Sequence, residues 1–304
     1  MKKGVFAALA AALALLTGCE GRTELGERAI IQAAAIDCDE DGYTVNAMLF
    51  SSSASGLVDA SEENVIRVDG SGETLAQALD DISLNDGREA YLDDIRLIIL
   101  GAGFEETQLT QVLGTLYFDM GCGLNTVLAY ADVPSKIVEL RFTEGVTSAE
   151  KLLGLIDNAH REGISPKTTL LDALCAAESD SAELLPRLVI EKNGSVTSQE
   201  DGLTAVPDGS RVVSGGKLGR QLSAEETVGL MLLSGDTRRL TLNFSKDGRG
   251  GGRTCEAYGI RVRRLDDGSA EVSAKFRARN GAALTAHDKQ NALSRLTEIV
   301  ALAM

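Results

Sequence analysis

The sequence predicts an α+β protein of more than one domain, built from mixed sheets with packed helices. Three observations carry that reading. Two acidic, glycine-containing turns, Asp37–Gly42 and Asp266-Asp267-Gly268, each separate a pair of strand-like runs. A dense apolar run, Ile95–Leu100, reads as a buried strand followed by a helix and another strand. Helical spacing recurs between the strand runs, from Thr74–Ile82 to the closing segment Ala286–Met304.

The first element is not part of the fold. Lys2 and Lys3 precede Val5–Leu16, an uncharged Ala/Leu-rich run too short for a permanent membrane helix, which needs about 20 apolar residues. Leu16-Thr17-Gly18-Cys19 follows, with the pattern of a lipobox: an apolar residue, two small ones, then cysteine. Residues 1–18 are therefore expected to be a lipoprotein signal peptide, and Cys19 the lipid attachment site. Two or three acyl chains on one residue anchor stably where a single chain is marginal. The competing reading is an ordinary secretory signal with a chance cysteine, but no A-x-A site stands here.

Ile30–Ile36 and Tyr43–Phe50 are expected as strands across the Asp37–Gly42 turn. Thr74, Leu75, Ala78, Leu79 and Ile82 predict a helix with Ser71 as its cap. Gly101 and Gly103 end the Ile95–Leu100 strand. Phe104–Phe118 is expected as a helix, and a strand is placed around Thr126–Ala131. Val146–Ala159 and Thr168–Ala177 read as helices separated by Pro166. Polar Glu191–Gln199 marks a domain junction, giving units 19–195 and 196–304. In the second unit, strands at Arg211–Val213 and Lys217–Leu222 precede a capping box, Ser223-Ala224-Glu225-Glu226, that opens a helix to Leu233 with Gly235 at its stop. Arg239–Phe244 is a strand, Gly248–Gly252 a loop, and Ala257–Arg264 with Ala270–Arg279 a hairpin. Leu293, Leu296, Ile299, Val300 and Ala303 fall on one face of a final helix.

Composition excludes several function classes. The formal net charge is −15, and loss of Lys2 and Lys3 with the signal makes it −17. Such a chain is a poor nucleic-acid binder. Cys38, Cys122, Cys175 and Cys255 are far apart and form no zinc pattern; mostly buried thiols without disulfides are expected. Asp37, Asp39, Asp41 and Gly42 match the opening of a calcium loop, but its twelfth position, where a bidentate Glu is needed, is Met48. Gly101-Ala102-Gly103 resembles the start of a dinucleotide loop, but Glu106 stands where the third glycine belongs and would repel pyrophosphate. His160 and His287 sit in no metal or triad spacing, and Asp80/Asp81 and Asp93/Asp94 read as solvated faces. No catalytic, cofactor or metal residues are therefore assigned. One surface stands out: Arg261 and Arg263 share a strand face, as do Lys275, Arg277 and Arg279 on the next strand. The ordinary reading is a solvated sheet face; the functional one is contact with lipid headgroups or an acidic partner.

Several stretches in order resemble the C-subunit lipoproteins of bacterial spore germinant receptors, the Ger(x)C family. They are Gly18-Cys19 with Arg22–Leu25; Ala29–Ile36 with Asp37 and Asp41–Val45; Gly72–Thr74 with Ala78-Leu79, Ile82-Ser83 and Ile95–Gly101; and Gly216–Gly219 leading into Leu222–Thr227 and Gly229-Leu230. Glu20-Gly21 departs from the aromatic and acid usual after the lipid cysteine. The resemblance implies an N-terminal germination-protein domain over 19–195 and a C-terminal one over 196–304. It also implies a last domain that reads as incomplete, because family members usually continue beyond the helix that ends here at Met304: the chain is then either a divergent short member or a truncated one, and in the second case the apolar face of Ala286–Met304 would lack its usual sheet. The implied role is a non-enzymatic subunit on the outer face of the spore's inner membrane, working with integral membrane A- and B-type receptor subunits in nutrient sensing. Only Cys19 carries over as a site residue. An extracytoplasmic solute-binding lipoprotein of a transporter is the alternative, disfavoured by the absence of Trp and only 4% aromatic residues.

Overall fold

The computed structural model describes residues 28–50, 65–105, 109–142, 147–179, 181–192, 202–244, 253–279 and 283–304. The signal segment, Cys19, Arg22–Leu25 and the Gly248–Gly252 loop lie outside these. The fold is α+β, as predicted, with one large mixed sheet and one small antiparallel sheet.

The hairpin of β1 (Arg28–Asp39) and β2 (Gly42–Phe50) closes at Asp39 and Gly42, where the turn was expected. β3 (Val65–Gly72) adds antiparallel to β2. On the other side of β1, β5 (Leu97–Leu100) and then β6 (Val127–Tyr130) run parallel to it. Short β4 (Glu89–Tyr91) and β7 (Thr168–Thr169) pair with β1 and β6. The sheet continues through β8 (Glu183–Lys192), β9 (Leu203–Ser214) and β10 (Lys217–Leu222), in the order β10-β9-β8-β6-β5-β1-β2-β3. β8 joins β6 through the pair Tyr130–Arg187, and β8 pairs with β9 across the expected junction around 191–199.

Both faces of the central strands are covered, which is why Ile95–Leu100 shows no polar alternation. Ile98 and Leu100 face one core with α1 (Leu75–Asp86), α2 (Leu109–Gly114) and α5 (Leu170–Glu178). Leu97 and Ile99 face the other, with α3 (Pro134–Val138) and α4 (Ser148–Arg161). A register shift between Ile31 and Ala33 lets β1 feed Ile31 and Ala34 into the same core despite their odd spacing.

Some expectations need correction. Ser71 does not cap α1; it lies in β3, and its N–H donates to Asp81. Thr74 is the cap, paired reciprocally with Gln77. Over the span expected as one helix, Phe104–Phe118, the described residues form a 3-10 turn (Ala102–Glu105), α2 and a π turn (Thr115–Asp119), not a uniform α-helix. Thr168 and Thr169 extend as β7 before Thr169 and Asp172 cap α5. β3, β4 and β8 have no counterpart in the sequence reading, and β9 starts well before Arg211.

In the last part of the chain, α6 (Ala224–Ser234) opens with the predicted Ser223/Glu226 capping box and stops at Gly235. β11 (Arg239–Phe244), β12 (Arg253–Arg264) and β13 (Ala270–Ala278) form the small sheet. α7 (Ala286–Leu302) packs on it and on α6. Leu296, Ile299 and Val300 are buried with Leu240, Leu242, Cys255, Ala257 and Ile260. The expected apolar face is therefore real, and the β11–β13 sheet covers it. A Cβ on Gly229 would stand 2.5 Å from the Ile299 carbonyl oxygen, so α6 and α7 approach at that glycine.

Candidate functional site

The outer face of the small sheet gathers the basic residues singled out in the sequence. Its geometry depends on Gly259. Tyr258 lies opposite Lys275, then the register shifts, and Arg261 lies opposite Ser273 and Arg263 opposite Glu271. Without that bulge, Tyr258 and Arg261, three apart, would point to opposite faces. Gly259 has φ +60°, the left-handed conformation glycine adopts without strain. Tyr258, Arg261, Arg263, Ser273, Lys275, Arg277 and Arg279 thus emerge exposed on one face, uniting the two predicted stripes.

The stripe is not uniformly available. Glu256, opposite Arg277, accepts from its Nε at 2.7 Å. Arg239 Nε sits 2.8 Å from the other Glu256 oxygen, an ion pair whose alignment falls short of a hydrogen bond. Arg277 also lies over the Tyr258 ring, 5.7 Å from its centroid. Arg279 makes a two-pronged contact with Glu162, 2.9 Å and 2.8 Å. Two of the five cations are therefore neutralised by carboxylates. Arg261, Arg263 and Lys275 make no ion pair among the described residues, and Arg261 and Lys275, with Arg238 and Tyr258, flank a groove. That groove, about 940 Å³, lies where α6 ends against the β12 bulge and is lined in part by Arg238, Arg261 and Lys275.

Glu162 links the two sheets. It caps the C-terminal end of α4, accepts from the Thr241 hydroxyl and binds Arg279. The Thr241 hydrogen bond and then the Arg279 guanidinium hold its carboxyl below the usual range, against the opposing effect of burial. Gly163 follows with φ +76°; a Cβ there would fall 2.0 Å from the Arg239 carbonyl oxygen. Glu162, Glu256 and Gly259 were missed in the sequence. Only Gly259 left a signal, an isolated glycine inside a strand pattern.

The other candidates resolve into structure. Asp37 Oδ1 accepts from the backbone N–H of Cys38 and of Gly103, so this carboxylate is engaged in holding the turn after β5. Asp39 accepts from the Asp41 N–H within the hairpin turn. A Cβ on Gly103 would stand 1.6 Å from the Cys38 carbonyl oxygen, and one on Gly101 would meet the Asp37 carboxylate. These glycines are explained by close packing on β1. The His160 ring nitrogen Nδ1 lies 3.3 Å from the Ser165 carbonyl oxygen, and His287 Nε2 3.3 Å from the Asn291 amide. Asp80/Asp81 and Asp93/Asp94 remain separate; Asp93 accepts from the Tyr91 hydroxyl. No disulfide joins Cys38, Cys122, Cys175 and Cys255. Cys122 and Cys255 are buried, but Cys175 is exposed, against the expectation of mostly buried thiols. Burial pushes the Cys122 thiol up to about 12.

Residues 21–190 match the family described as "Spore germination protein N-terminal domain". Among solved structures, the "Crystal Structure of the GerBC protein" is similar, with 17% identity over 89% of this chain and 80% of that one and a TM-score of 0.46. No curated protein matches. The matched residues make up more than half of the chain and span everything from before β1 into β8. The chain belongs to the spore germination proteins that carry this N-terminal domain, the Ger(x)C family its sequence resembles.

Proposed function

We propose that this protein is the C subunit of a nutrient germinant receptor, held by lipid on Cys19 at the outer face of the spore's inner membrane. It acts by contact with two integral membrane subunits of the A and B types. The observation that carries this reading is the family match over residues 21–190. The lipobox ending at Cys19 immediately precedes the matched segment, which supports attachment at that residue. Among the described residues no helix is long and apolar enough to cross a membrane.

The test is purification of the full, tagged chain from detergent-solubilised spore membranes. Two multi-span membrane proteins are expected to come with it in fixed proportion. Recovery of the chain alone, or with a transporter permease, contradicts the assignment.

A further inference from the structure

We propose that the outer face of β12–β13 docks on anionic phospholipid headgroups, and so sets how the tethered protein stands on the membrane. This rests on the Cys19 anchor proposed above.

The charge argument comes first. Arg238, Arg261, Arg263 and Lys275 are exposed and make no ion pair among the described residues. They stand on a chain of net charge −17 after signal removal. A surface that is anionic throughout repels the bulk of this protein, and admits it where cations concentrate. The neighbouring Arg239, Arg277 and Arg279 have carboxylate partners in Glu256 and Glu162, so they add less to that attraction.

Position comes second. β1, β5 and β6 are parallel, so their first residues share one end of the large sheet. Asp157 of α4 lines a single groove with Ile95 before β5 and Asn125 before β6, which places the C-terminal end of α4 at that same end. Glu162, one turn further, grips Arg279 next to β13. The chain leaves β1 toward Cys19 from this end too, and the stretch from Cys19 to Arg28 reaches at most about 30 Å. Arg279, at one end of the basic face, and the tether thus lie toward the same end of the large sheet. At the same end Asp157 is paired with Lys167 and Arg96 with Glu150, while Asp93 and Asp94 are repelled by the anionic surface, so the attraction comes from the cations of β12–β13 that lack a carboxylate partner among the described residues.

The experiment uses the full lipidated chain in phosphatidylcholine vesicles, with and without phosphatidylglycerol. Flotation reads the tether, and amide hydrogen exchange over 258–275 reads the docking. The chain is expected to float with both kinds of vesicle, and exchange in β12–β13 to slow only with phosphatidylglycerol and at low salt. Each cation is worth about fivefold in occupancy of the docked orientation. The Arg261→Glu, Arg263→Glu, Lys275→Glu triple variant should float equally well, keep normal exchange in β1–β6, and lose the slowing. Equal exchange in both vesicles, slowing in neutral vesicles, or slowing that survives in the triple variant overturns the docking while leaving the anchor intact. Protection that arises only when acidic receptor subunits are added to neutral vesicles also overturns it, and assigns the face to a protein. Failure to float with either vesicle overturns the anchor, and the docking with it.

Discussion

Glu162 sits between the end of α4 and Gly163, where a Cβ would collide with the Arg239 carbonyl oxygen, and two side chains from the small sheet and its edge converge on it. Thr241 and Arg279 both satisfy its charged form. Its carboxyl is thereby held below 4.5, the value it starts from. A depressed carboxylate contributes to stability above that ordinary value and loses the contribution as pH falls through the folded one. The contact is partly exposed, so the effect is modest and local. Amide exchange in β11 should be faster in a Glu162→Gln variant than in the natural chain at neutral pH, and the gap should close on acidification below 4.5. A gap that stays constant across pH would place the linkage elsewhere. The cysteines give a second residue-scale expectation. Maleimide should label Cys175 in the folded protein and leave Cys122 and Cys255 untouched until unfolding, because the first is exposed and the others are buried. Rapid labelling of Cys122 in folded protein would contradict the packing around it.

At the scale of elements, the turn from β5 into the 3-10 segment is the most constrained connection. Asp37 supplies one acceptor to two backbone donors, and Gly103 lies against the Cys38 carbonyl. Gly103→Ala should cost about 3 kcal/mol or more, because backbone must move. Gly114→Ala, where a Cβ meets nothing within 4 Å, should be neutral or stabilise by up to about 1 kcal/mol. The shift of the urea midpoint measures both, and equal effects would contradict the geometry. The hairpin at Asp39–Gly42 and the capped helix after Ser223 were legible because each rests on local chemistry: turn residues in one case, reciprocal hydrogen bonds in the other. The buried strand at Leu97–Leu100 was legible because both its faces are covered. β8 was not, since Leu184 and Ile190 are only half-buried and Pro186 interrupts the run; its pairing with β9 supplies what periodicity lacks. The start of the helix expected from Phe104 was misread because Gly101 and Gly103 serve the contact with β1, and the residues around them wind as a 3-10 turn.

For the whole molecule, the basic stripe was visible as a list of residues but not as a surface. Arg261 and Lys275 face the same way only because Gly259 interrupts the strand's alternation, and Arg277 and Arg279 are neutralised by carboxylates distant in sequence. Sequence spacing within a strand is local, whereas ion pairing such as Glu162 with Arg279 is decided by how the two sheets meet. The final helix shows the same dependence. Its apolar face was read from spacing, and its partner, the β11–β13 sheet, emerges only in three dimensions. The functional role rests instead on the order of motifs along the chain, on the family match, and on one cysteine outside the described residues. Nutrient-triggered germination of spores carrying the full chain with Cys19→Ala tests that role most directly. The account predicts a response that falls to the level of a strain lacking the gene. A full response from Cys19→Ala spores would contradict it.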